Sequence, residues 1–112
     1  MSLEKLRAYG ANVDEGLARC MNNESFYLRM VRMAVDDGSF GRLEQAVQAR
    51  DKKAAFEAAH AMKGVMGNLS LTPLFRPASE MTERLRAGED ADYQSDLDQI
   101  LSEREKLRSL LG

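Results

Sequence analysis

Apolar positions recur along the chain at steps of three and four residues, and no stretch shows the alternation of a half-buried strand. "NVDEGLARCM" reads as a short helix, and "ESFYLRMVRMAVDD" as a longer one closed near Gly38. "SFGRLEQAVQAR" puts Phe40, Leu43 and Val47 on one side, with Ser39 able to cap its start. Asp51 reads as the cap of the next helix, over residues 52–69. In "LTPLFRPASEMTERLRAG", Thr72 suits a cap and Pro73 the first helical position, where a missing N–H costs little. Leu74, Ala78, Met81 and Leu85 form its stripe, and Gly88 is its stop. Pro77 removes one backbone bond inside that helix and should bend it. A last helix is expected over residues 92–111, with Tyr93, Leu97, Ile100, Leu107 and Leu111 at helical spacing and Arg104 as the one interruption. Helices of this length joined by short loops predict an all-α fold. It is an antiparallel four-helix bundle with a short additional N-terminal helix, forming one domain over residues 1–112.

Charge narrows the function classes. Sixteen Lys and Arg face eighteen Asp and Glu, so the formal net charge is −2. Domains that bind nucleic acid through bulk charge are clearly basic, and the three cations Arg50, Lys52 and Lys53 beside one helix start read as a solvated edge. No apolar run approaches the roughly 20 residues that span a bilayer. "MSLEKLRAYG" places charges where a signal peptide needs an apolar stretch, so a cytoplasmic protein without membrane insertion is expected. The single Cys20 has no partner for an internal disulfide and reads as a small buried apolar residue.

The chemistry concentrates in "AHAMKGVMGNLS", residues 59–70, which holds the only histidine. On a helical wheel Ala55, Ala59, Met62, Met66 and Leu69 fall within about 40° of one direction, and His60 lies about 140° from it. Gly64 and Gly67 flank His60 on the outward side, with Lys53 and Phe56 on the same face and Lys63 at its edge. Each glycine costs a helix roughly 1 kcal/mol relative to Ala. Termination of the helix competes as a reason for Gly67, but not for Gly64. The gain at Gly64 is clearance, which lets a macromolecule or a bulky group on the ring come close to His60. No second metal ligand, carboxylate orienter or nucleophile accompanies the imidazole, so a hydrolase or metal site is not indicated. A neutral imidazole is a competent nucleophile near pH 7. With Lys63 one turn away, a phosphoryl group on the ring would meet a positive charge.

"HAMKGVMGNLSL" resembles the His-x-x-Lys-Gly motif of histidine phosphotransfer (HPt) domains, modules of bacterial two-component phosphorelays. The likeness extends over nearly the whole chain. "GLARCMNNESFYLRMVRMA" resembles the family's N-terminal helix, and "NLSLTPLFRPASEMTERLRAG" the segment after the histidine. The resemblance implies a four-helix bundle with His60 as phospho-acceptor, Lys63 as the phosphate-stabilising lysine, and Gly64 as the clearance glycine. Gly67 matches a further small-residue position. One departure stands out: the family often has glycine ten residues after the histidine, where this chain has Ser70.

The expected function is a phosphotransfer module that takes a phosphoryl group on His60 from a receiver-domain aspartate and passes it to another receiver. It would be a carrier without kinase activity, since no Gly-rich nucleotide loop is present. It would need no cofactor of its own, the Mg²⁺ being held by the receiver. The partner would be the receiver domain of a response regulator or hybrid sensor kinase. The chain itself would be a monomer or a module of a larger sensor kinase. Phe56 and Lys53 would help dock that partner. The alternative is a helical adaptor that docks a partner through the His60 and Phe56 face without phosphorylation.

Overall fold

The computed structural model describes residues 1–111; Gly112, the last residue of the expected domain, lies outside the described residues. Among the described residues the fold is all-helical. In chain order the helices are α1 (Leu3–Tyr9), α2 (Val13–Arg19), α3 (Glu24–Val35), α4 (Gly38–Gln48), α5 (Lys52–Asn68), α6 (Thr72–Arg86) and α7 (Gln94–Arg108), followed by a 3₁₀ turn at Ser109–Leu111. α4 packs on α5, α5 on α6, α6 on α7, and α7 returns to α4, which closes a four-helix bundle. α1 and α3 lie against α7, and α2 bridges them.

Short polar side chains start most of these helices by accepting a free N–H in the first turn. Asn12 accepts from Glu15, Asn23 from Phe26, and Asp51 from Ala54. Two expected caps are displaced. Asp37 rather than Ser39 caps α4, accepting from the Ser39 N–H at 3.0 Å. Ser39 therefore falls inside the helix, and its buried hydroxyl has no protein partner. α6 begins at Thr72, so Leu71 takes the cap position without any side-chain bond. Leu71 is fully buried, and its carbonyl accepts from Leu74 and Phe75, so burial rather than a polar cap anchors that end. Gly88 stops α6 in the left-handed region at φ 70°, as its position suggests.

α1 is the helix that apolar spacing does not announce. It buries a single side chain, Leu6, between a Ser2 cap and the left-handed Gly10. α7 is shorter than the expected 92–111 span: Asp92 turns the chain by accepting from the Gln94 N–H, and the last residues tighten into the 3₁₀ turn. The interruption at Arg104 has a physical reason. Its Nε donates to the Val35 carbonyl at 2.7 Å, and its guanidinium lies 4.4 Å from the centre of the Phe40 ring. The cation thus closes the C-terminus of α3 while covering a core aromatic.

The predicted stripe of α5, Ala55, Ala59, Met62, Met66 and Leu69, is buried throughout. α5 is fastened at its far end by α3, where the buried Tyr27 hydroxyl donates to the Leu69 carbonyl at 2.9 Å. Burial, with the nearby Cys20, pushes the Tyr27 phenol up to about 12. Cys20 is itself buried, at the end of α2.

Candidate functional site

His60 projects from the middle of α5 and is exposed. One turn before it, the Phe56 ring lies parallel to the imidazole, at 7° and 5.7 Å between centroids. The Arg86 guanidinium stands 5.2 Å from the Phe56 ring centre. Phe56 is therefore half-buried between its neighbours rather than a freely presented aromatic. Lys63, one turn after His60, is only 29% exposed in its side chain, and its Nζ is 3.9 Å from the Glu83 carboxylate. Its ammonium is thus turned towards the α6 carboxylate. Lys53 is exposed, two turns before His60, and does not line the groove that holds the ring.

That groove has a volume of about 600 Å³ and is lined by His60, Lys63, Gly64 and Gly67 together with residues of α2 and α6. The two glycines differ in what they make room for. A Cβ at Gly64 would meet nothing within 4 Å, so this side of the helix is open to an approaching group. A Cβ at Gly67 would stand 3.0 Å from the Phe75 ring, so there the missing side chain admits an aromatic of α6. Gly67 does not terminate the helix, which continues to Asn68.

Ser70 explains why a glycine suits its position. The chain turns there with φ 56°, and the Leu71 N–H reaches back to the Met66 carbonyl, the bond pattern of a left-handed helix end. A side chain in this conformation costs about 1–2 kcal/mol. The buried serine hydroxyl offsets that cost, accepting from Arg19 at 3.0 Å and donating to Glu15 at 2.9 Å. Arg19 also donates to the Gly67 carbonyl at 2.6 Å. A glycine could make none of the hydroxyl contacts. The serine therefore ties the end of α5 to α2.

Glu83 and Arg86 were invisible as site residues in the sequence. They reach the imidazole's surroundings only because α6 packs against α5. Their spacing on α6 makes an ordinary surface ion pair, at 3.5 Å, and nothing local couples it to His60. Among the described residues no group of three His, Cys, Asp or Glu side chains is arranged to hold a metal ion, and no helix is long and apolar enough to cross a membrane.

Compared with known protein families, residues 32–110 match the model described as "Hpt domain". No curated protein and no solved structure matches the chain. The matched segment contains α4 to α7, with Phe56, His60, Lys63, Gly64 and Gly67, and leaves α1, most of α3 and the α2 residues that line the groove outside it.

Proposed function

The chain belongs to the Hpt domain family, whose work is histidine phosphotransfer in phosphorelays with receiver domains as partners, and from that premise we propose that His60 is its phosphoacceptor. The observation that carries the reading is the open approach to the only imidazole of the chain: His60 is exposed, and the space beside it at Gly64 is empty. Phosphoryl transfer asks little covalent work of a protein beyond positioning and charge neutralisation. The unprotonated ring nitrogen attacks phosphorus of a receiver's aspartyl phosphate. The N–P bond forms as the acyl P–O bond breaks, and that electron pair returns to the aspartate as carboxylate. The second ring nitrogen keeps its proton, and transfer to the next receiver reverses the step.

Each neighbour has a part in this reading. Lys63 neutralises charge on the phosphoryl oxygens, the bare Gly64 surface lets the receiver come within reach, and Phe56 holds the ring by stacking. Gly67 serves the same face indirectly, by seating Phe75. Lys53 extends the docking surface along α5. The divalent cation for the reaction belongs to the receiver's carboxylates, and the domain brings no cofactor of its own. The test is incubation with a phosphorylated receiver domain, followed by mapping of the acid-labile phosphate. Label on His60, absent from His60→Gln, is the expected result. Binding of the receiver without any label would return the adaptor reading.

A further inference from the structure

Among the described residues, Glu83 is the one carboxylate within ion-pair distance of both Lys63 and Arg86. One oxygen lies 3.9 Å from Lys63 Nζ, and the other lies 3.5 Å from Arg86 Nε. Arg86 in turn stands over the Phe56 ring on which His60 stacks. Lys63 thus follows His60 by one turn on α5, Arg86 covers the aromatic that stacks on it, and a single acidic side chain on α6 engages both cations. Glu83 is itself 57% exposed, so nothing in the packing requires an anion there. We propose that Glu83 is a placeholder anion: in the unphosphorylated domain it occupies the cations that a phosphoryl group on His60 would use, and it must release them when that group arrives.

This inference rests on His60 being the acceptor. An ammonium cannot point its charge fully at two anions, so every pairing of Lys63 or Arg86 with Glu83 subtracts from the stabilisation of phosphohistidine. Exposed pairs of this kind shift an equilibrium by up to about fivefold, which sets the size of the effect. Glu83 would therefore act as a positioning residue that shortens the lifetime of the phosphorylated state and keeps the group transferable.

Phosphoramidate supplies the test without a receiver. The ring nitrogen attacks its phosphorus, the P–N bond breaks, and ammonia leaves; the single histidine makes the product unambiguous. The decay of phosphohistidine is then followed by ³¹P NMR at low ionic strength in wild type, Glu83→Gln, the double variant Lys63→Gln with Arg86→Gln, and the triple variant. The expected result is a phosphohistidine half-life about two- to fivefold longer in Glu83→Gln. That gain should shrink in high salt and vanish when both cations are already gone. Equal half-lives in wild type and Glu83→Gln, or a shorter one in Glu83→Gln, would overturn the proposal. So would a gain that persists without the two cations, since Glu83 would then act by repelling the phosphate directly. No phosphohistidine signal in wild type would sink the acceptor assignment itself, and this inference with it.

Discussion

Tyr27 and Leu69 are joined by a 2.9 Å hydrogen bond from the buried phenol to the main-chain carbonyl. The contact fastens α5 from outside the bundle. Tyr27→Phe should cost about 1 kcal/mol near neutral pH, the usual worth of such a bond. The alkaline limb should also change. Burial raises the phenol in the folded state to about 12, from its ordinary value near 10. Its contribution is therefore complete below pH 10 and lost as pH rises from there towards 12. Denaturant melts between pH 7 and 11.5 should show a shallower alkaline decline in Tyr27→Phe than in wild type. Parallel curves would refute the assignment.

Three helical glycines make a graded test of clearance. Gly41 and Gly64 both have empty space where a Cβ would go, whereas a Cβ at Gly16 would stand 2.6 Å from the Tyr27 ring. Gly41→Ala and Gly64→Ala should each stabilise by about 0.5–1 kcal/mol. Gly16→Ala should destabilise by about 1–3 kcal/mol through overpacking. Larger side chains then separate packing from function. Gly64→Gln should slow transfer from a phosphorylated receiver while Gly41→Gln leaves it unaltered, and equal rates for all three proteins would remove the clearance role of Gly64.

His60→Gln should abolish phosphoryl acceptance and leave the helical circular-dichroism signal unaltered. The ring is exposed and its stack on Phe56 is worth about 1 kcal/mol. A fall in stability of several kcal/mol would mean that the imidazole supports the core, contrary to its place in the fold.

Lys63→Ala should change stability by no more than about 1 kcal/mol, because its pair with Glu83 is long and the carboxylate partner is exposed. Transfer should be slower and the phosphohistidine shorter-lived at low ionic strength, with the difference narrowing as salt is added. Lys63→Arg should retain most of the wild-type behaviour, since charge rather than a bidentate geometry is used. Unchanged rates and lifetimes in Lys63→Ala would make it an ordinary surface lysine.

Ser70 offers an ordering rather than a single number. Ser70→Ala keeps the strained φ of 56° and loses both hydroxyl contacts; Ser70→Gly loses the contacts but relieves the strain. Glycine should therefore be the less damaging replacement, by about 1–2 kcal/mol. Alanine equal to or better than glycine in thermal melts would contradict the left-handed turn.

The helical periodicity was sufficient to place the bundle and the outward face of α5, because both depend on local spacing. Its failures share a cause. Ser39 and Thr72 have the chemistry of caps, but Asp37 and the burial of Leu71 take those roles, and a choice among adjacent candidates is made by tertiary packing. Gly67 looks like Gly64 on a wheel, and only the position of Phe75 separates them. Arg104 breaks an apolar pattern because it serves α3, a partner no heptad encodes. The ion-pair link from Glu83 to Lys63 is equally non-local, and α5 and α6 must be packed together before it exists.

The fastening of α5 by Tyr27 and Arg19 separates two boundaries that are easily equated. The family match starts at residue 32, yet the histidine-bearing helix has its end held by side chains from earlier in the chain. The recognisable segment is thus smaller than the cooperative unit. A fragment beginning at residue 32 would keep His60, Lys63 and Gly64 while losing the Arg19 bond to the Gly67 carbonyl and freeing the Leu69 carbonyl to water. Fraying would then start a few residues beyond the imidazole, and amide exchange in that fragment would report it first at the end of α5.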